Sequence, residues 1–376
     1  MKVVSIVGAR PEFVQLAPVS KAFRKWYQEV IIHSGQHYDY CMSAQFFDEL
    51  EIPAPDYHLE CGSASHGAQT ARMLEAIERV LIQEHPEWVV VFGDTNTTLA
   101  GTLAAAKLHI PVAHVEAGLR SFNRAMPEEI NRVVADHISE RLFCPTETAR
   151  KNVYNEGIRQ GVEVVGDVMY DALLQAQPVL NARSEKLLHE LKLVPQNYAL
   201  VTVHRPVNTD DAAAMQNIAF ALNKLDIPVI FPIHPRTRAR LEKYDISWKK
   251  HIRFIEPVGY LDMLTLERSA YRILTDSGGV QKQAFFLRVP CVTLREETEW
   301  VETVESGWNV LVGSRSQAIL EAVAFPKPES HQQKLFGEGD AAIRIAQSLA
   351  SHAQNARHTI PVNKQEEDSY GIRSQT

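Results

Sequence analysis

The grouping of apolar residues along the chain most constrains its fold. Short runs such as KVVSIV at 2–7 and WVVVF at 88–92 are largely apolar without strict alternation, whereas 67–84 repeats apolar and small residues every three or four positions. Such runs indicate strands covered on both faces of a sheet, and strand–helix alternation favours parallel order with right-handed crossovers. In the first half of the chain, strands are expected at 2–7, 29–33, 88–92, 111–115, 141–144 and 162–165.

A second series of strands begins near residue 198, after the mostly helical segment 166–197. The chain has 376 residues, which is too many for a single hydrophobic core. We therefore predict two doubly wound, Rossmann-like α/β domains that face a central cleft. The second series is expected at 198–203, 228–232, 252–255, 271–275, 290–294 and 308–312.

The boundaries of the predicted domains follow from this division. The first domain covers 1–168 and the second covers 169–362. A last helix near 338–354 is expected to pack back on the first domain. The tail 363–376 lacks apolar periodicity and is expected to be disordered.

Composition narrows the class of protein. Apolar residues make up 45% and charged residues 23%, which is ordinary for a globular enzyme, and the net charge of −7 disfavours a nucleic-acid partner. No apolar run approaches the roughly 20 residues that span a bilayer, and the N-terminal apolar stretch is too short for a signal peptide. We expect a cytoplasmic protein without a membrane partner or a metal. Its scattered cysteines, which form no metal-binding pattern, are Cys41, Cys61, Cys144 and Cys291.

Polar and glycine residues follow nearly every predicted strand. In open parallel sheets, ligands bind at the carboxyl ends of the strands, so these positions are the candidate site. In the first domain they are Gly8, Ala9, Arg10 and Pro11, then Gly93 and Asp94, then Glu116. In the second domain they are His204 and Arg205, then His234, Pro235 and Arg236, then Asp276, Ser277, Gly278 and Gly279.

Two of these segments suit a phosphate. Ser277, Gly278 and Gly279 lie where a strand turns into a helix, and helix N-termini favour anions, although the glycines could serve only the turn. The guanidinium of Arg10 could form a bidentate ion pair with a diphosphate, although Arg10 could equally be a surface arginine. Neither G-x-G-x-x-G nor the P-loop pattern occurs, so dinucleotide and P-loop sites lack their signatures.

The carboxylates Asp94, Glu116 and Glu128 are candidates for proton transfer, because clustered carboxylates raise one another's pKa. Asp94 could instead cap the helix after it, and Glu128 follows Pro127 at a helix start, where glutamate is favoured anyway. Glu116 has the weakest structural alternative, because burying an unpaired carboxylate is costly. His204 and His234 are equally compatible with core packing and with a ligand-binding or acid–base role.

Together these segments resemble one family, the non-hydrolysing UDP-N-acetylglucosamine 2-epimerases, from about residue 1 to 355. Each motif alone is weak, but the set and its order are specific. The resemblance implies the two-domain architecture of many nucleotide-sugar glycosyltransferases (glycosyltransferase-B-like), a homodimer, and no metal or redox cofactor. The motifs are GARPE, QHYD, VFGDTNTTLA, HVEAGLRS, MPEEINR, HRPVN, TDSGGVQ and LREETEW.

The resemblance also implies a mechanism, in which UDP leaves by anti elimination, a 2-acetamidoglucal stays bound, and UDP adds back with protonation of C2 from the other face. The acid–base carboxylates would be Asp94, Glu116 and Glu128. Arg10, His204 and the Ser277–Gly279 turn match positions that hold UDP, and His204 is also a catalytic candidate. The remaining substrate-binding candidates are Gln15, His234 and Gln283.

Three positions depart from the family pattern. Gln15 stands where lysine is usual, Val207 where glutamate is usual, and Gln283 where a glutamate normally receives the ribose hydroxyls. A neutral amide at 283 loses charge-assisted hydrogen bonds, at a cost of ~1–2 kcal/mol. These departures keep open the alternative of a UDP-sugar-binding protein with impaired catalysis. A UDP-sugar glycosyltransferase of the same fold is a second alternative, because a fold alone does not fix function.

Overall fold

Two parallel β-sheets, one in each half of the chain, form the frame of the molecule. A computed structural model describes residues 1–36, 43–233, 235–244, 246–328 and 334–358. The elements of the first half are β1 (Lys2–Val7), α1 (Arg10–Phe23), β2 (Gln28–His33), α2 (Ala44–Glu49), β3 (Tyr57–His58), α3 (His66–Glu84), β4 (Trp88–Phe92), α4 (Asn96–Lys107), β5 (Val112–Val115), α5 (Pro127–Ile138), β6 (Arg141–Cys144), α6 (Glu147–Asn155) and β7 (Val162–Val164).

A long helix, α7 (Val168–Glu190), leads from the first sheet to the second. The remaining elements are β8 (Ala199–Thr202), α8 (Pro206–Thr209), α9 (Ala212–Lys224), β9 (Val229–Pro232), α10 (Pro235–Leu241), a 3₁₀ turn (Glu242–Tyr244), β10 (Ile252–Ile255), α11 (Tyr260–Ser269), β11 (Arg272–Thr275), α12 (Gly278–Phe286), β12 (Cys291–Thr293), α13 (Val301–Glu305), β13 (Asn309–Leu311), α14 (Ser316–Ala324) and α15 (Ala341–His358).

Both sheets have the doubly wound strand order. The first runs β3-β2-β1-β4-β5-β6-β7 and the second β10-β9-β8-β11-β12-β13, and neighbouring strands in both sheets are parallel. The strand order reverses between β1 and β4 and between β8 and β11, where such sheets open a crevice for ligands. The predicted architecture of two parallel-sheet α/β units is therefore confirmed.

The strands read as unbroken apolar runs because both faces of each sheet are covered. Val90 and Phe92 of β4 pack into one buried cluster with α1 and α7, while Val89 and Val91 pack into another with α3 and α4. Successive side chains of a strand point to opposite faces, so a strand covered twice needs apolar residues at both. Every strand predicted above is present, with ends that differ by no more than one residue. The short β3 was not predicted, because two residues carry no periodicity.

The last helix packs on the first unit although it follows the second sheet in sequence. Ile345 and Leu349 of α15 join the buried cluster formed by α1 and α7. Asp171 of α7 accepts hydrogen bonds from the backbone N–H groups of Ala341 (3.3 Å) and Ala342 (2.8 Å), which satisfies the N-terminus of α15.

Helix α7 contacts both α1 and α11, so the domain boundary near residue 168 stays a prediction. The predicted tail at 363–376 lies outside the described residues. Within the ranges that the structure describes, no helix is both long and apolar enough to cross a membrane.

Candidate active site in the cleft between the sheets

The carboxyl ends of strands from both sheets open onto one cavity of about 560 Å³. This size suits a small-molecule ligand. The sequence-predicted residues that line it are Arg10, Gln15, Asp94, Glu116, Glu128, His204, Ser277, Gly278, Gly279 and Gln283. His234 lies outside the described residues. The structure thus brings together every described residue to which the sequence assigned a catalytic or substrate-binding role.

The N-terminus of α12 points at this cavity. Ser277 caps the helix, with its hydroxyl accepting a 3.5 Å hydrogen bond from the Val280 N–H. A Cβ added to Gly278 would lie 3.3 Å from Trp300 Nε1, tighter than most real contacts, so glycine fits the space here. The N–H groups of the first turn have no carbonyl of their own helix to bond, and an anion in the cleft can accept from them.

Asp276 holds His204 at the end of β8. The buried Asp276 carboxylate accepts from the backbone N–H of His204 (3.1 Å) and Arg205 (3.0 Å) and from Asn208 Nδ2 (3.0 Å). Its Oδ1 also lies 3.4 Å from His204 Nδ1. The surrounding walls of the cleft partly desolvate His204 and so lower its pKa, and Asp276 opposes this effect. The exposed 48% of its side chain faces the inside of the cleft. His204 is therefore a neutral imidazole at neutral pH.

Glu12 fixes the two loops that carry Arg10 and Asp94. Its Oε2 accepts from the N–H groups of Gly8 (2.6 Å) and Ala9 (2.9 Å), and its Oε1 accepts from the Thr95 hydroxyl. Burial raises the pKa of Glu12 to about 7, against the opposing effect of these hydrogen bonds. Burial also lowers the pKa of Arg10, but a guanidinium stays charged at neutral pH.

Asp94 does not cap the following helix. Thr95 takes that role, with its hydroxyl accepting from the Thr97 N–H at 3.1 Å, and the alternative of a capping Asp94 is wrong. The Asp94 carboxylate instead accepts a hydrogen bond from Arg132 Nη2. Arg132 also donates to Glu129 at 2.7 Å and lies 3.5 Å from Glu299 of the opposite unit. The cations Arg132 and Arg295 outweigh burial and lower the pKa of Glu299 to about 2.

Glu116 stands in an unusual backbone conformation and an unusual charge environment. Its φ of 72° lies in the left-handed region, which costs energy for a side chain other than glycine and often marks functional positions. Its carboxylate accepts from the ammonium of Lys282, which also lies 2.8 Å from Asp167 and 4.2 Å from the centre of the Trp300 ring. Burial raises the pKa of Glu116; the neighbouring carboxylates add to that rise, and Lys282 opposes it.

A buried ion network supports the loop after Glu116. His114 donates through Nδ1 to Asp136 at 2.7 Å and through Nε2 to the Gly93 carbonyl at 2.7 Å, so both nitrogens carry protons. Burial alone would lower the pKa of His114, but these acceptors together raise it. Asp136 also accepts from Arg120 (2.7 Å) and from the Gly118 N–H (3.1 Å). The network therefore fixes the loop that carries Glu116.

Glu128 occupies the first turn of α5, directly after Pro127 at the helix start. Its carboxylate lies 3.8 Å from Arg205 Nη1, which belongs to the other unit. Glu128 therefore occupies both a helix start, where a negative charge is favourable, and the lining of the cleft. Its helix position does not conflict with a role in catalysis. No group of three or more His, Cys, Asp or Glu side chains suited to a metal occurs in the part of the chain that the structure describes.

Several buried charged residues of the cleft were not predicted from the sequence. Lys282 sits in mid-helix with 1% of its surface exposed, and nothing at the end of a strand signals it. The one available signal is a lysine within an otherwise uncharged helix of glycine, glutamine and apolar residues, GGVQKQAFF. Arg132 and Glu299 also line the cavity and were also not predicted. The same holds for buried charged residues that support the site, including Glu12, Asp167 and Arg295.

The geometry above agrees with one known family. The family model described as UDP-N-acetylglucosamine 2-epimerase matches residues 21–350. The chain belongs to the UDP-N-acetylglucosamine 2-epimerase family. This membership confirms the resemblance drawn from the sequence motifs.

The chain aligns with relatives over nearly their whole length. A Methanococcus maripaludis protein named UDP-N-acetylglucosamine 2-epimerase homolog is 55% identical over 354 residues, covering 93% of this chain and 99% of the relative. The Pseudomonas aeruginosa UDP-2,3-diacetamido-2,3-dideoxy-D-glucuronate 2-epimerase is 47% identical over 361 residues, with the same coverage of 93% and 99%.

A solved structure gives the same result for the fold. The UDP-GlcNAc 2-epimerase of Methanocaldococcus jannaschii, crystallised with UDP-GlcNAc and UDP, superposes with a TM-score of 0.87 at 45% identity. The match covers 93% of this chain and 100% of that one. The two-domain, glycosyltransferase-B-like architecture is thereby confirmed.

Proposed function

We propose that this family member inverts C2 of a UDP-2-acetamido sugar by eliminating UDP and adding it back. One observation carries the proposal: three carboxylates, a guanidinium and a helix N-terminus line the same cavity. Epimerisation through elimination needs both sets of groups, because a proton must move at C2 while an anion departs from C1. Family membership and the names of the relatives support the same reaction.

The leaving group is stabilised from both sides of the cleft. In the first step the C1–O bond breaks, its electron pair goes to the β-phosphate oxygen, and UDP departs as an anion. Arg10 from the first unit and the N-terminus of α12 from the second would hold that charge, with His204 beside them in the same cavity. Because the C2 hydrogen is not acidic, bond breaking at C1 must run ahead of proton removal.

The first unit supplies the proton chemistry. One carboxylate takes the C2 proton as the C1–C2 double bond of a 2-acetamidoglucal forms. A proton then returns to C2 from the opposite face while the diphosphate oxygen attacks C1, so atoms and charge balance over the cycle. We propose that Asp94, Glu116 and Glu128 share these roles, since all three reach the same cavity from different loops.

The three departures from the family pattern differ in importance. Gln15 and Gln283 both line the cavity and are 1% and 6% exposed, so both would face a bound substrate. Val207 is 68% exposed on α8 and does not line the cavity. We therefore propose that Val207 has no direct part in binding, whereas Gln15 and Gln283 adjust recognition.

The substrate class is tested directly by exchange at C2. The protein is incubated in deuterated water with UDP-N-acetylglucosamine, UDP-N-acetylmannosamine and UDP-2,3-diacetamido-2,3-dideoxy-D-glucuronate, and proton NMR follows deuterium incorporation and epimer formation. We expect exchange at C2 with at least one member of this panel. Both kinds of sugar occur in the names of relatives at 45–47% identity, so the panel also decides between them.

The same experiment separates the alternatives. A glycosyltransferase would release UDP only when an acceptor is added and would leave C2 unlabelled. A binding protein without catalysis would bind UDP but exchange nothing. Absence of exchange across the whole panel would contradict the epimerase proposal.

We further propose that the protein acts as a cytoplasmic homodimer in polysaccharide biosynthesis. The proposal rests on the resemblance to family members. Light scattering coupled to size-exclusion chromatography measures the first part, with a mass of twice 42.3 kDa expected. A mass of 42.3 kDa at working concentration would contradict it.

A further inference from the structure

Lys282 is a fully buried cation that crosses the cleft. It belongs to α12 of the second unit, yet its ammonium donates to Glu116 and Asp167, which lie at the end of β5 and at the start of α7. The Trp300 ring covers its remaining side, 4.2 Å away. Only 1% of the lysine is exposed, so this charge is stable only while both carboxylates face it.

The helix that carries Lys282 also carries the proposed diphosphate site. The glycines of its N-terminus line the cavity, and Lys282 follows about one turn later on the same rigid element. The proposed diphosphate site and the ammonium of Lys282 therefore lie on one helix, with Gly278 and Lys282 only four positions apart.

Glu116 is faced by few charged groups. The only cation that the structure places in hydrogen-bond contact with its carboxylate, among the described residues, is Lys282. His114 adds positive charge from β5 beneath it, at longer range. Asp167 and Asp94 add negative charge, from the start of α7 and from the loop after β4. Loss of Lys282 would leave the carboxylates to repel one another.

We propose that Lys282 is a positioning residue that keeps the Glu116 carboxylate charged and aimed into the cleft. The proposal rests on the proposed epimerase function and deepens it. A residue of the unit that carries the proposed diphosphate site thereby prepares a carboxylate of the other unit for proton transfer at C2.

Gln15 offers an independent way to supply the same charge. A Cβ on Gly93 would lie 3.6 Å from Gln15 Oε1 and 3.8 Å from Glu116 Oε1, so the amide and the carboxylate are neighbours. Neither amide atom of Gln15 has a hydrogen-bond partner among the described residues. A lysine at position 15 would therefore extend toward Glu116 from the first unit.

The test removes and restores the ammonium. Lys282→Met is expected to lower the rate of C2 exchange on the order of 10- to 100-fold. The limb of the pH–rate profile that reports Glu116 should move to higher pH by about one unit or more, because the nearby cation is lost. Lys282→Arg should keep that limb in place, and the exposed Lys151→Met is the matched control. A slower Lys282→Met enzyme with both limbs unmoved would overturn the proposal.

The double variant Gln15→Lys/Lys282→Met sharpens the result. It is expected to return the shifted limb toward its wild-type position, since a lysine at position 15 would bring a cation to the same part of the cavity as Glu116. Absence of that return would contradict a role based on charge. If Lys282→Met does not fold, Gln15→Lys alone serves, because a second cation should move the same limb to lower pH; an unmoved limb would overturn the proposal.

Wild-type exchange separates this inference from the proposed function. If the wild-type protein exchanges no C2 hydrogen with any sugar of the panel, the function itself fails. If the wild type exchanges and the limb of Lys282→Met stays where it was, only the role of Lys282 fails. UDP titration calorimetry on each variant establishes that the nucleotide site is intact.

Discussion

The two walls of the cleft differ in chemistry. The wall from the first unit presents Asp94, Glu116 and Glu128, two of them tied to buried cations. The wall from the second unit presents the N-terminus of α12 and His204, along with the charged side chains Arg205, Lys282 and Glu299. The carboxylates of the first wall can take up and return a proton, whereas the helix N–H groups of the second wall can hold a departing anion. The division explains how one cavity can serve two ends of one reaction, and the following predictions test it.

The largest effect is expected on the carboxylate wall. Changing Glu116, Asp94 or Glu128 to the corresponding amide keeps size and removes basicity, so C2 exchange should fall on the order of 100- to 10,000-fold if the residue is a general acid or base. UDP affinity, measured by calorimetry, should barely change. The exposed Glu147→Gln is the control. If all three amide variants exchanged C2 hydrogen at the wild-type rate, the proposed roles of the two walls would be wrong.

Arg10 is the one cation of the first wall that we assign to the leaving group. UDP at a hundredfold excess over its Kd should stabilise the wild type by about 2.7 kcal/mol, seen as a rise in melting temperature. Arg10→Ala should lose most of that rise, whereas the exposed Arg159→Ala should keep it. An unchanged rise in Arg10→Ala would place the whole anion site on the second wall.

A smaller effect is expected at Gln283 on the second wall. If this buried amide faces the ribose, Gln283→Glu should tighten UDP binding by ~1–2 kcal/mol, because a carboxylate accepts stronger hydrogen bonds from hydroxyls. Calorimetry on the two proteins measures the difference, with exposed Gln160→Glu as control. Unchanged or weaker affinity would indicate that position 283 does not face the ribose.

The smallest effect concerns a buried carboxyl outside the cleft. Neither carboxyl oxygen of Glu267 has a hydrogen-bond partner among the described residues, and burial raises its pKa well above 4.5. A raised pKa means that its contribution to folding is fully present below the unfolded value and is lost as pH rises through the folded value. Glu267→Gln should therefore melt about 2–4 °C higher than wild type at pH 8, with a smaller difference at pH 5. Equal differences at both pH values would show that Glu267 ionises freely in the fold.

Burial by itself does not mark a functional carboxylate. Glu267 and Glu116 are both buried with raised pKa values, yet only Glu116 reaches the cavity and has a cationic partner there. A buried carboxyl without a partner is simply neutral, whereas one held beside an ammonium can be ionised and ready to accept a proton.

The sequence by itself determined the strands, the parallel order of the two sheets and the candidate site residues that follow the strands. Parallel strands covered on both faces must be apolar throughout, so their positions can be predicted from the sequence. The geometry of such sheets then brings the residues that follow the strands to one edge of the sheet. Arg10, Asp94, Glu116 and the glycines of α12 were found by that rule.

Only the tertiary structure decided which charges meet across the cleft. Lys282 and Glu116 are 166 positions apart, and Arg132 and Glu299 are 167 apart. Lys282 lies in mid-helix and contacts a strand end of the other unit, so neither periodicity nor strand ends point to it. Such contacts depend on how the two sheets pack against each other, which local propensity does not encode. The docking places the ammonium beside Glu116 and thereby sets the charge of the cleft.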